Sequence, residues 1–138
     1  MGTDVSGGFD PSILNAIQHA SIASKVISLQ PNPNEALKPG YNGRKLSVAT
    51  LLYLATLGGA EVCGLDAIIG SFEVDKSFDA LFVRVTEDAG NPGIWPPGEQ
   101  EEYHLRGLLE RFLFCGDDRN ILGVYVEGKL IGGKDFSK

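Results

Sequence analysis

Hydrolytic chemistry at a metal needs imidazole, thiolate or carboxylate groups that converge on one point, and this chain is sparing with the first two. Its histidines are His19 and His104 and its cysteines Cys63 and Cys115. No pair of these has the short spacing at which consecutive ligands reach one ion. Neither His-x-His nor His-Glu-x-x-His occurs, and the His-x-Glu with Pro-Cys-x-x-Cys of one deaminase class is missing too. A self-sufficient zinc site is therefore not expected.

Carboxylates are more plentiful. Asp117-Asp118-Arg119 can be read as two metal ligands and an anion clamp. The other reading is a Gly-terminated helix followed by an Asp/Asn turn with a local ion pair, and the turn preference of both residues favours it. Asp79 opens a β-rich run and could act as an acid, but short acidic side chains readily bond nearby backbone, so a structural role is expected. Glu99, Glu101 and Glu102 suit a helix start, where negative charge complements the macrodipole, better than a glycosidase-style pair.

Four stretches carry a family resemblance: GTDVSGGFDPSILNAIQHASIASKV (Gly2 to Val26), LATLGGAEVCGLD (Leu54 to Asp66), IGSFEVDKSFDALFV (Ile69 to Val83) and FLFCGDDRNILGVYVEGK (Phe112 to Lys129). The middle two are shared loosely by many amidohydrolases; GTDVSGG joined to FLFCGDDRN is narrower. From Gly2 to about Ile131 the chain resembles the C-terminal third of the guanine deaminases, within the amidohydrolase family. One departure is Asp75, where relatives usually carry Gly before Lys76.

The resemblance implies a zinc ion at the C-terminal mouth of a (β/α)8 barrel, held by a His-x-His pair, two later histidines and the Asp after the eighth strand. Asp4 matches that last ligand. Metal there would bring the pKa of bound water to roughly 7, with the carboxylate taking its proton. The implied activity is hydrolysis of guanine to xanthine and ammonia by a homodimeric enzyme. Asp4 is the only catalytic and metal-binding residue of that set in this chain, and residues that read the purine are not identified. The His ligands and the strand that would hold Asp4 are absent, so the chain is expected to be a C-terminal fragment, inactive and without zinc by itself. Two alternatives stay open: another amidohydrolase acting on an amino-substituted ring, or a non-catalytic stub that binds full-length subunits.

Elements that would position Asp4 follow it directly. Asp10 suits an N-cap and Pro11 the first helical position. Ile13, Leu14, Ile17, Ala20 and Ser21 then make one face, continued by Ile22, Val26 and Leu29, with Gln18, Lys25 and Ser28 elsewhere. Residues 31–45 are dense in Pro, Gly and Asn and read as a linker. Ser47 caps a second helix through about Leu57, ended by Gly58 and Gly59, with a short helix through Cys63 after the break. Ser71 to Val74 alternates as a strand, residues 75–77 turn, and Phe78 to Val85 is a second strand. Trp95 lies in a Pro/Gly-rich loop and pins it to the body. A helix over 99–114 carries an apolar stripe of Leu105, Leu108, Leu109 and Phe112. A hairpin turns at Glu127-Gly128, and residues after Gly132 read as a frayed tail.

The expected fold is an α/β fragment: the last strand end and flanking helices of a barrel over residues 1–64, then part of a small composite β domain over 65–138. Its open apolar edges predict poor solubility or loose packing in isolation. A net charge of -6 with no basic stripe excludes a nucleic-acid backbone as partner. No apolar run approaches the roughly 18 residues that span a bilayer, and no signal-peptide core is present. Two unpatterned cysteines fit a reducing cytoplasm.

Overall fold

The computed structural model describes residues 1–29, 45–94 and 105–136. The chain divides into two compact units, Met1–Gly59 and Ala60–Lys138. Most of the expected linker, Trp95, His104 and the acidic start of the helix expected from residue 99 lie outside the described residues.

In the first unit, helix α1 spans Ile13–Leu29 and α2 spans Val48–Ala55. The cap of α1 is Ser12 rather than Asp10: its carbonyl takes the Ala16 amide and its hydroxyl accepts from the Asn15 amide at 3.3 Å. The buried face also differs from expectation. Ile17, Ser21, Ser24 and Ser28 are buried, whereas Ile22, Val26 and Leu29 are exposed. Serines serve here because they are small and can satisfy themselves. Ser24 Oγ donates to the Ser21 carbonyl at 2.8 Å and Ser28 Oγ to that of Lys25 at 2.7 Å. Ser24 Oγ also accepts from the Leu46 amide at 3.2 Å, which ties the approach to α2 onto α1. Leu51 of α2 is fully buried.

Ser47 caps α2 as its sequence predicts, accepting from the Thr50 amide at 3.1 Å. The break comes earlier than expected, at Thr56, whose amide folds back to the Tyr53 carbonyl. Gly58 and Gly59 lie inside the next helix, α3 (Leu57–Cys63). Gly58 is needed for room instead: a Cβ there would stand 2.9 Å from Cε1 of Tyr53.

The second unit centres on an antiparallel sheet in the order β1-β2-β3, with β1 at Ala80–Val83, β2 at Ile121–Val126 and β3 at Lys129–Gly132. Its hairpin turns at Glu127 and Gly128, both with positive φ (50° and 74°), the pair of left-handed residues that suits a right-twisted two-residue turn. Ser71–Val74 forms no strand. Lys76 Nζ draws in Ser71 Oγ at 2.7 Å and Glu73 Oε1 at 3.3 Å, so a polar turn replaces it. Helix α4 (Leu105–Cys115) buries Leu113, while Leu105 is exposed. Nor is the chain frayed directly after Gly132: the amides of Lys134 and Asp135 donate to the carbonyls of Ile121 and Leu122 at 3.0 and 2.9 Å.

The centre of this unit is partly polar. Asn120 is completely buried. Its Oδ1 accepts from Asn91 Nδ2 at 2.8 Å and from the Asp117 amide at 3.1 Å, and its Nδ2 donates to the Arg84 carbonyl at 2.7 Å. Asn91 Nδ2 also reaches the Cys115 carbonyl at 2.9 Å. Leu113, Leu122, Ile94 and Ala89 supply the buried apolar part.

Large apolar side chains remain in solvent: Phe9, Val62 and Val74 are 87%, 87% and 91% exposed, and Phe72 and Leu105 nearly as much. Such surface drives association. The isolated chain is expected to self-associate, with a light-scattering mass well above the 14.8 kDa of a monomer; a monodisperse monomer with a sharp reversible melt would contradict this.

Candidate functional site

Asp4 lies in the loop that leads into α1, where local chain geometry and not side-chain bonding fixes it. Its φ is 50°, a left-handed conformation that Asp tolerates better than most residues. The Gly8 amide donates to the Asp4 carbonyl, and Val5 and Gly8 form a short bridge. Room for this fold comes from Gly7, where a Cβ would stand 2.8 Å from Asp4 Oδ2. The Asp4 side chain is exposed and takes no hydrogen bond among the described residues. It is free to accept a proton or to serve as a ligand.

Residues 9 and 10 fasten the loop to the helix. Asp10 Oδ1 accepts from the Ser12 amide and Oδ2 from Asn15 Nδ2, each at 2.6 Å. The Phe9 ring rests against that of His19, with centroids 5.4 Å apart. A cavity of about 280 Å³ lies between loop and helix, lined in part by Thr3, Phe9, Asp10, Asn15 and His19. The sequence suggests Asp10 as the cap, whereas the cap is Ser12 and Asp10 bonds past it to a helix side chain.

The other candidates stand in structural roles. Asp79 Oδ1 accepts from the Glu127 amide at 2.8 Å and so holds the hairpin turn. Asp117 caps the 3-10 turn Asp118–Asn120 and pairs with Arg119, whose Nη2 is 2.5 Å from Oδ2. Arg119 also donates to the Gly90 carbonyl at 3.2 Å, which leaves a local ion pair in a turn and not an anion clamp. Cys63 and Cys115 are exposed at the ends of α3 and α4. Among the described residues, no group of three or more His, Cys, Asp and Glu could hold a metal ion. A catalytic zinc takes three protein ligands. The described residues do not fit zinc unaided.

The hydrogen bond from the Arg119 guanidinium, aided by the Arg119 amide, holds the Asp117 carboxyl below the usual carboxylate range. Because the folded value lies below the unfolded one of about 3.9, its stabilising effect is complete above that value and disappears as pH falls through the lower one. The stability gap between the parent and Asp117→Asn is thus expected to hold from about pH 7 to about pH 5 and to close below about pH 4, as read by urea titrations. Partial exposure of both side chains keeps this gap small.

Comparison with known proteins places this geometry in a lineage. The amidohydrolase family model matches residues 1–131. Guanine deaminase of Mus musculus is 37% identical over 131 residues, an alignment covering 95% of this chain and 27% of the mouse protein. The structure of E. coli guanine deaminase superposes with a TM-score of 0.69 at 29% identity, over 96% of this chain and 27% of that one. An adenosine deaminase from Xanthomonas campestris with bound zinc shares the fold, at a TM-score of 0.62 and 24% identity over 88% of this chain and 22% of its own. The α/β arrangement with its small antiparallel sheet is thus one found in solved guanine deaminases, and the chain spans about a quarter of the length of such proteins. No described helix is long and apolar enough to cross a membrane. With the family model covering all but the last few residues, the chain belongs to the amidohydrolase family.

Proposed function

We propose that this chain forms the aspartate-bearing part of a guanine deaminase, the hydrolase that exchanges the exocyclic amine of guanine for oxygen from water, giving xanthine and ammonia. Asp4 is its catalytic residue: its carboxylate oxygens are exposed, engaged by no hydrogen bond among the described residues, and can take a proton from the attacking water. The observation that carries this reading is the 37% identity to mouse guanine deaminase across an alignment covering 95% of the chain.

In this reading residues 1–64 are the end of a barrel and 65–138 part of a small β domain. That places Asp4 on a loop following a strand, where barrel enzymes keep their catalytic groups. Zinc belongs to the reading as the family's metal. Asp4 is one donor to it, and the others would be supplied by the portion that this chain does not span in its relatives. A homodimer in the cytoplasm is the corresponding assembly.

The test is a graft in which residues 1–131 replace the matching 27% of mouse guanine deaminase. The graft is expected to release ammonia from guanine, whereas the 138-residue chain with added zinc releases none. A folded graft that ignores guanine would overturn the reading, as would turnover by the chain alone.

A further inference from the structure

We propose that Asp10 is a positioning residue for Asp4, acting through Asn15; this deepens the reading of Asp4 as the catalytic carboxylate and rests on it. The Asp4 side chain has no hydrogen bond of its own among the described residues, so its direction is set by the backbone of residues 4–8. That backbone holds a left-handed residue at Asp4 and closes on itself at Gly8, through its amide and its bridge to Val5. A turn so small needs a fixed end.

Asp10 provides that end. One carboxylate oxygen takes the amide of Ser12, the cap of α1, and the other takes Asn15 Nδ2, each at 2.6 Å. The two oxygens thus clamp the loop to both the backbone and a side chain of one rigid element. Phe9, the preceding residue, meets His19 one turn beyond Asn15 and restrains the loop on a second line. The helix cap itself belongs to Ser12, so the Asp10–Asn15 bond is not needed to start the helix. Its effect falls on the loop.

Two measurements test this. In the 138-residue chain, Asn15→Ala is expected to raise amide exchange at Gly8, whose donor bond closes the Asp4 turn, while exchange within α2 stays unchanged. In the graft, Asn15→Ala is expected to lower kcat on guanine about tenfold with KM and melting temperature little changed, short of the roughly hundredfold that a displacement of 1 Å can cost. Asp10→Ala, which also removes the bond to the Ser12 amide, should cost at least as much, and the double variant should be no worse than Asp10→Ala alone, because the bond that Asn15→Ala removes is then already lost.

Unchanged Gly8 exchange together with unchanged kcat would overturn the proposal, and so would additive losses that follow the melting temperature. If Asp4→Ala leaves the graft as active as its parent, the deaminase reading fails first. Gly8 exchange then decides by itself whether Asp10 holds the loop.

Discussion

Asp4→Ala in the grafted enzyme is expected to lower kcat on guanine by roughly 10³-fold, within the range that a positioned acid or base contributes. The reason lies in the surroundings of the carboxylate. It is exposed, forms no hydrogen bond among the described residues, and stands on a backbone shaped by Gly7 and Gly8. Removing it breaks no side-chain hydrogen bond among the described residues, and Asn accepts the left-handed backbone as Asp does, so in Asp4→Asn the loss should fall on turnover and not on soluble yield. Asp4→Asn makes a sharper comparison: it keeps the shape and one acceptor oxygen but lacks the basic carboxylate. Its activity should sit close to that of the alanine variant. Steady-state ammonia release, with melting temperature as the control, checks both variants. Activity of the Asp4→Asn variant near that of the parent would show that the carboxylate does not take the proton.

The second large effect is on stability. Asn120→Ala is expected to destabilise the second unit by about 3 kcal/mol, because a fully buried side chain making three hydrogen bonds is lost and its partners are not resupplied. The Arg84 carbonyl and the Asp117 amide lose their bonds to this side chain, while Asn91 keeps its bond to the Cys115 carbonyl. That loss is a large share of the roughly 5–15 kcal/mol that holds an ordinary domain folded. The urea dependence of amide exchange at Leu122 and Val124 reads it directly. Arg106→Ala, which removes an exposed pair with Glu110, is the control and should cost only a few tenths of a kcal/mol. Equal midpoints for the two variants would show that the asparagine network is not a support.

Local signals are legible wherever one short segment decides the outcome. Ser47 as a cap, the Glu127-Gly128 turn and the Asp117–Arg119 pair all depend on neighbours a few residues away, whereas Asp79, expected to bond nearby backbone, finds its amide at Glu127, 48 residues on. Asp4 is reached by resemblance, since no spacing around it points to chemistry. What escapes the sequence depends on partners distant along the chain. The serine face of α1 looks polar in the sequence and is buried because Leu46 and α2 approach closely there. Apolar alternation suggests a strand at Ser71–Val74, yet Lys76 gathers Ser71 and Glu73 into a turn. The burial of Asn91 and Asn120 gives no signal, because the bond between them and that from Asn120 to the Arg84 carbonyl span 29 and 36 positions of chain.

The Asp79 carboxylate on the Glu127 amide also bears on the order in which the sheet forms. Strands β2 and β3 adjoin a two-residue turn, so their hairpin closes within microseconds and requires little of the remaining chain. Strand β1 must arrive from far upstream, and the bond joining Asp79 to Glu127 bridges a separation of 48 residues. Closing that span costs entropy before any pairing rewards it. The hairpin is therefore the early template and β1 the late arrival, with the turn amide waiting for its acceptor.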